Sequence, residues 1–570
     1  MIKDPEKKYI PAPSVPLADR TWPDKTLSAP PIWCSVDLRD GNQALVTPMG
    51  LEDKLAYFEM LCKIGFKHIE VGFPASSATE LEFVRALVDG GRIPDDVTIQ
   101  VLTPARGDLI EQTLESIRGA KRAAVHLYNN ISPIHRKVVF ETNLKGVKDM
   151  AVSSAELIAE LAAGMPETEF AFEYSPEGFS ATPVDDSVEV CAAVMKAFGA
   201  SPDKKVVIDL PATVECLPPN VYADAVEYFC RRLPERDCAI ISVHPHNDRG
   251  TAVSSAELAL LAGAERVEGT LFGNGERTGN VEIVTLALNM LSRGVDPGLD
   301  FSDLPAIKRL YESKTRMHVA ERQPYSGLFA FTAFSGSHQD AIYKGMRYRE
   351  EHGEAAWDIP YLAIDPTDVG RRYDDLVRIN SQSGKGGAAF ILETQFGFTL
   401  PRAMRPEFGA LVQKLSEDSG AEIAPQAIYD LFEETYIKIN SPYRLASYSF
   451  DDKAVGAGGS QVAFSGKLYY NDIEYDIAGS GNGPIDAFFN AISDLTISRY
   501  HFVSYSEHAV SSGSDSRAAA YIQLETPDGG SVFGVGLSHN IYLASIRGII
   551  SAINRGVALR SVANTPRRTF

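Results

Sequence analysis

Basic charge is in short supply: 55 Lys and Arg face 75 Asp and Glu, leaving the 570-residue chain at a formal net charge of −20. A surface of that sign releases few counterions from nucleic acid and is repelled by anionic membranes, so neither is an expected partner and small molecules are the expected ligands. Cysteine is also scarce, with six residues (Cys34, Cys62, Cys191, Cys216, Cys230 and Cys238) and no C-x-x-C pair. That spacing suggests neither a disulfide framework nor a thiolate zinc site, and the thiols read as reduced. No stretch approaches the roughly eighteen apolar residues of a membrane span, and the opening MIKDPEKKYIPAPS has no apolar signal core. The expected location is the cytoplasm.

What remains is an ordinary globular composition, 44% hydrophobic and 23% charged, in a chain long enough for about three to five domains. Residues 1–30, rich in Pro and charge, read as an arm either laid on another surface or left loose. Eight short β-rich runs follow: IWCSVDL (32–38), HIEVGF (68–73), TIQVLT (98–103), AAVHLY (123–128), FAFEYS (170–175), VVIDLP (206–211), AIISVH (239–244) and RVEGTLF (266–272). Amphipathic segments separate them, such as LEDKLAYFEMLCKIG (51–65) and TAVSSAELALLAGA (251–264), the latter opening on a Thr that can cap. This α/β alternation predicts a (β/α)8 TIM barrel over 31–308, with an open doubly wound sheet as the alternative. Residues 309–435 read as helical linker subdomains, in which SGKGG (383–387) lacks the spacing of a phosphate loop and reads as a turn. In 436–570, YDIAGSGNGPIDAFFNAI (475–492) and FGVGLSHNIYLASIRGIISAI (533–553) each run strand, Gly-x-Gly turn, helix. They predict a ββα unit used twice, with Gly479, Gly481, Gly483, Gly534 and Gly536 either serving tight turns or offering backbone N–H groups to a carboxylate.

Only eleven histidines are present, yet VHPHNDRGT (243–251) holds two of them one residue apart. Strand side chains two positions apart share a face, so His244 and His246 can chelate one ion. A barrel carries its chemistry at the C-terminal strand ends, where Arg39, Asp40, Thr103, His126, Ser175, Glu177, Thr213, His244, His246 and Asn280 fall. Asp40 in DLRDGNQ (37–43) supplies an anionic ligand and Asn280 in GNGERTGN (273–280) a neutral oxygen. The set contains no sulfur and suits Zn²⁺, Mn²⁺, Mg²⁺ or Fe²⁺. Such an open site can chelate a 2-oxo acid and polarise its carbonyl, with Arg39 facing the developing oxygen charge.

DLRDGNQ, SPEGFSAT (175–182), LPATVE (210–215), HPHNDRGTA (244–252) and LFGNGERTGN (271–280) closely resemble the 2-isopropylmalate synthases, a family of metal-dependent acyl-CoA:2-oxoacid condensing enzymes. The likeness extends through GSHQDAI (336–342), PYLAIDP (360–366), INSQSGKGG (379–387) and the C-terminal repeat. The resemblance implies condensation of acetyl-CoA with 3-methyl-2-oxobutanoate (2-ketoisovalerate), at the entry to leucine synthesis, by a Claisen-type addition and thioester hydrolysis. It implies Asp40, His244, His246 and Asn280 as metal ligands, with Mg²⁺ or Mn²⁺ expected and Zn²⁺ a possibility. It places Arg39, His126, Ser175 and Thr213 around the oxo acid, with Leu102 in its apolar wall. Glu177 falls near the reacting centre, and His338 and Tyr361 fall in catalytic motifs that a homodimer would bring to the partner's barrel. The repeat is expected to bind leucine as a feedback inhibitor. Two positions depart from the family pattern: Asp209 stands where Asn is usual, and GLSHN (536–540) replaces an Asp-containing turn. Citramalate and homocitrate synthases are the enzymatic alternatives, and a non-catalytic amino-acid sensor on the same scaffold is the alternative from another class.

Overall fold

The computed structural model describes residues 15–563 apart from 373–384, 420–421, 456–458, 494, 496–499, 512 and 514. It divides into two compact units, Met1–Ala330 with Ile364–Arg371, and Phe331–Ala363 with Arg372–Phe570. Residues 1–14 of the expected arm, and 379–384 of the INSQSGKGG motif, lie outside the described residues.

In the first unit eight parallel strands close into a barrel in chain order: β1 (Ile32–Ser35), β2 (His68–Gly72), β3 (Thr98–Pro104), β4 (Arg122–Asn130), β5 (Glu169–Glu177), β6 (Val206–Ala212), β7 (Ala239–Pro245) and β8 (Arg266–Gly269). Every apolar run overlaps its strand, but β1 stops three residues before the run IWCSVDL does. The cause is Asp37, a buried carboxylate that accepts the N–H of Leu271 (3.1 and 3.2 Å) and the hydroxyls of Ser35 (2.8 Å) and Tyr57 (2.9 Å). Holding Asp37 inward breaks the strand alternation, and the chain coils through Asp37–Gly41. That coil brings Arg39 and Asp40 over the barrel mouth.

Such barrels are usually filled by branched apolar side chains. Here Glu70, Gln100, Glu173, Arg266 and Glu268, from four different strands, are each at most 1% exposed. Their contacts cross the lumen: the Arg266 guanidinium on β8 reaches Gln100 Oε1 on β3 at 2.8 Å and Glu173 Oε2 on β5 at 3.2 Å. The described part of the arm is laid on the barrel rather than loose. Arg20 binds both oxygens of Asp224 (2.6 and 2.7 Å), and the N–H of Thr21 donates to Glu227 (3.0 Å), both on the helix Pro219–Arg232.

The second unit contains the helices Gly336–His352, Lys385–Phe396, Arg405–Ser419 and Pro425–Phe432. Two three-stranded antiparallel sheets follow, of order β11-β10-β9 and β12-β13-β14. Their strands are β9 (Tyr443–Val455), β10 (Gly459–Tyr470), β11 (Ile473–Gly481), β12 (His501–Ala509), β13 (Ala518–Glu525) and β14 (Ser531–Ser538). The helices Pro484–Ala491 and Ile541–Ala563 close the two halves, so the repeated unit is βββα rather than ββα. In the second half the first strand, β12, is exposed along almost its whole length and shows no clean apolar stripe in sequence.

The Gly-x-Gly pairs are not turns. Gly479, Gly481, Gly534 and Gly536 lie in β11 and β14. A Cβ on Gly479 would stand 2.6 Å from Ala487 O and 2.7 Å from Ala491 Cα, and one on Gly534 would collide with the backbone of Gly548 and Ala552. Each missing side chain admits the backbone of the following helix. The helix starts are filled by their own side chains as well: Asp486 accepts the N–H of Asn482 at 2.9 Å, and Asn540 Oδ1 accepts those of Tyr542 (2.9 Å) and Leu543 (3.1 Å). Gly534→Ala is therefore expected to destabilise the second unit by about 1–3 kcal/mol through overpacking. Calorimetry should show its transition moved down with the barrel's unchanged. No described helix is long and apolar enough to cross a membrane.

Candidate active site

The mouth of the barrel gathers Arg39 and Asp40 from the coil after β1, His244 from β7, and His246 just beyond it, where it bridges to Asn280. Nε2 of His244 stands 3.5 Å, and Nε2 of His246 3.8 Å, from Asp40 Oδ2. The imidazole centroids are 5.4 Å apart with planes 23° from parallel, as shared-face side chains require. Asn280 stands beside them, its Oδ1 2.9 Å from His244 Nε2 and its amide donating to Asp40 Oδ2 at 2.8 Å. All four are buried, at 8% exposure or less. Asp40, His244 and His246 can present one ligand atom each to a common ion, and two imidazoles with carboxylate and carboxamide oxygens fit a divalent cation.

Fixed charge surrounds this cluster. Burial would raise Asp40, but the Arg39 guanidinium 3.0 Å away and the two histidines outweigh it and hold the carboxyl well below its usual range. Arg39 is held from its other side by an ion pair between Nε and Glu70. Burial, followed by the charge of His244, pushes His246 down to about 4. For His244 burial is overcome by the carboxylates of Asp40 and Glu268, which raise it.

Beside the cluster runs a chain of short contacts across β2, β4, β5 and β6. His126 Nδ1 lies 2.7 Å from Glu70 Oε1, His126 Nε2 lies 2.7 Å from Ser175 Oγ, and Ser175 Oγ donates to Asp209 Oδ2 at 2.9 Å. Asp209 is pushed up to about 6 by burial and then by Glu268. Glu177 is raised by burial, against His135 and its hydrogen bond with Asn130. Arg39, Asp40, Leu102, His126, Ser175, Glu177, Thr213, His244 and His246 all line one pocket. Thr213 Oγ1 accepts the N–H of Gly178 at 3.0 Å, while Thr103 is buried away from the pocket with its hydroxyl on Pro104 O. Thr251 does not cap its helix; it donates its hydroxyl to Glu215.

His338 and Tyr361 belong to the second unit, where their rings stack at 3.9 Å and both side chains are exposed. Tyr361 holds φ at 65°, a left-handed backbone that a bulky residue adopts at a cost of about 1–3 kcal/mol.

The pocket also includes Gln43, Tyr128, Pro211, Glu276 and Arg277, which the sequence reading did not single out. Tyr128 and Pro211 were within reach of strand parity, each two residues from an inward-facing site residue (His126, Asp209). Arg277 gives no such signal: it sits on a loop at φ 57°, its guanidinium on Asp248 (2.7 Å) and on the carbonyl of Thr213 (2.5 Å).

Three family models match the chain: HMGL-like over 30–310, alpha-isopropylmalate synthase post-catalytic domain-like over 329–393, and LeuA allosteric (dimerisation) domain over 422–557. Full-length relatives are similar throughout. A 2-isopropylmalate synthase of Clostridium acetobutylicum is 50% identical over 96% of this chain and 99% of its own length. One of Ralstonia nicotianae is 50% identical over 99% and 97%, and one of Pseudomonas putida 49% identical over 98% of both.

Proposed function

The chain belongs to the 2-isopropylmalate synthase family, and from that premise we propose that the barrel mouth carries out the condensation of acetyl-CoA, 3-methyl-2-oxobutanoate and water to 2-isopropylmalate and CoA, the first committed step of leucine synthesis. The observation that carries the site assignment is the convergence of both imidazole Nε2 atoms on Asp40 Oδ2, at 3.5 and 3.8 Å. Asp40, His244, His246 and Asn280 would hold a divalent ion, Mg²⁺ or Mn²⁺ in the cell, with Zn²⁺ the tighter competitor. When bound, such an ion supplies Lewis acidity to a chelated 2-oxo acid.

The chain's own residues do the rest. Arg39, clamped between Asp40 and Glu70, presents a guanidinium already oriented for the oxygen charge that develops as the ketone is attacked. His126, Ser175 and Thr213 offer polar groups to the oxo-acid carboxylate. Leu102, Tyr128 and Pro211 give the pocket an apolar wall for the isopropyl group. Glu177, raised by burial, can hold a proton close to neutral pH at the reacting centre. His338 and Tyr361 are the candidates for proton transfer at the acetyl methyl, whose carbanion forms the new C–C bond before water cleaves the thioester. We place the working enzyme in the cytoplasm as a homodimer inhibited by leucine, a reading supported by the match of 422–557 to the LeuA allosteric (dimerisation) domain. Unchanged initial rates on adding leucine would count against the inhibition.

CoA release from acetyl-CoA in the presence of Mg²⁺ or Mn²⁺ tests the substrate. The apolar wall predicts that 2-ketoisovalerate exceeds pyruvate by about 10–200-fold in kcat/KM, with 2-oxoglutarate poorer still. A preference for pyruvate would make the chain a citramalate synthase. No release with any acceptor would restore the sensor.

A further inference from the structure

The barrel floor buries a guanidinium and several carboxylates where apolar side chains would be at least as stabilising. The Arg266 guanidinium donates to Ser242 Oγ at 3.1 Å and to Gln100 Oε1 at 2.8 Å, pairs with Glu268 Oε1, and lies 3.2 Å from Glu173 Oε2. Glu268 is thereby fixed through one oxygen. Its other oxygen, Oε2, lies 3.3 Å from Nδ1 of His244. The register explains the meeting: Ser242 on β7 pairs with Arg266 on β8, so two residues further along His244 comes beside Glu268.

His244 and His246 are thus oriented by different partners. His246 turns its Nδ1 to the backbone carbonyl of Gly279 at 3.2 Å, a group the fold supplies whatever the side chains. His244 depends on a side chain, Glu268, which depends in turn on Arg266. A histidine whose Nδ1–H is engaged by a carboxylate presents Nε2 as its ligand nitrogen and holds its ring plane in place.

We infer that Glu268, anchored by Arg266, is a positioning residue that orients His244 for metal binding from beneath the site, although it does not itself line the pocket. The inference rests on the metal reading of Asp40, His244 and His246, but is independent of which acceptor the enzyme uses.

Glu173 provides the control. It shares Arg266 with Glu268 and is equally buried, but its histidine contact is with His126 at 3.5 Å, not with His244. Burial, and the charge of Glu268, raise Glu173 well above the carboxylate range. Glu268→Gln removes the charge while keeping the side chain's shape and an oxygen for Arg266. Glu268→Asp keeps the negative charge while withdrawing the carboxylate from Nδ1 by one methylene.

The experiment is a Mn²⁺ titration of the full-length metal-free proteins, followed by the electron paramagnetic resonance signal of free Mn²⁺, with no substrate present. Glu268→Gln is expected to raise the Mn²⁺ Kd by about 10–100-fold, Glu268→Asp to raise it in the same direction, and Glu173→Gln to leave it within about twofold. Wild-type affinity in both Glu268 variants would overturn the inference, and equal weakening in Glu173→Gln would overturn it by showing a general effect of floor charge. No Mn²⁺ binding by the wild type would remove the metal reading and this inference together. Tight wild-type binding without CoA release would instead count against the proposed reaction alone.

Discussion

His244→Ala is expected to lower turnover by about a thousandfold or more, as loss of several kcal/mol of carbonyl polarisation requires, and to abolish stoichiometric Mn²⁺ binding. His244 meets Asp40, Asn280 and Glu268 at once. Its removal therefore takes away an imidazole ligand and leaves two carboxylates without their shared partner. The remaining donors, Asp40, His246 and Asn280, stay in place, so residual weak binding at millimolar Mn²⁺ is compatible with the assignment. Steady-state CoA release and a Mn²⁺ titration on the same preparation check it, with calorimetry expected to leave the second unit's transition unmoved. Full activity in this variant would remove His244 from the site.

Arg39→Met is expected to cost more in stability than any other substitution at the mouth. The guanidinium pairs with Asp40 at 3.0 Å and with Glu70, which is fully buried. Breaking a buried pair by removing one partner costs about 3–5 kcal/mol, because the charge left behind is uncompensated. Activity should fall by a further factor of about 10²–10³ from the lost oxyanion donor. The pH dependence identifies the cause. In the wild type burial would raise Glu70, but Arg39 and then His126 lower it, so its stabilising contribution is present above the unfolded carboxylate value of 4.5 and fades below it. In Arg39→Met the same carboxyl is raised by burial, and its penalty disappears once the unfolded chain is also protonated. The stability gap between the two proteins should thus shrink as pH falls from 7 through 4.5, which denaturant unfolding at several pH values measures. A gap that does not change with pH would assign the loss to packing. Arg39→Lys, which keeps the charge without the two-sided clamp, should recover much of the stability and little of the activity.

The barrel was legible because its strands are buried on both faces and read as apolar runs, each followed by a helical stretch. The convergence of His244, His246, Ser175 and Glu177 on one pocket was legible because strand parity and the rule of C-terminal strand ends both bear on them. Asp40 was found by its place after the first run, but the reason it faces the mouth was not: that depends on Asp37 bonding to Leu271, a contact across 234 residues. The inward carboxylates Glu70, Glu173 and Glu268 were visible as charges inside apolar runs, Glu268 with Arg266 two residues before it. That Arg266 also meets Glu173 was not visible, because its guanidinium reaches across the lumen from β8 to β5. The C-terminal glycines were misread for a related reason. A Gly-x-Gly pair before a helix has the same appearance whether it forms a turn or a strand against which the helix backbone packs, and only the distance from Gly479 to Ala487 and Ala491 separates the two.

The most direct test of the account is anomalous diffraction from crystals of the full-length protein soaked with Mn²⁺ and 2-ketoisovalerate. Among the described residues three buried groups of side chains are able to hold an ion: Asp40 with His244 and His246, His126 with Glu173 and Glu268, and Asp209 with His244 and Glu268. The account predicts one strong Mn²⁺ peak among Asp40 Oδ2 and the Nε2 atoms of His244 and His246, with the oxo acid against it on the side of Leu102 and Ser175. A peak in either of the other two groups, or an oxo acid bound elsewhere with the mouth empty, would contradict it.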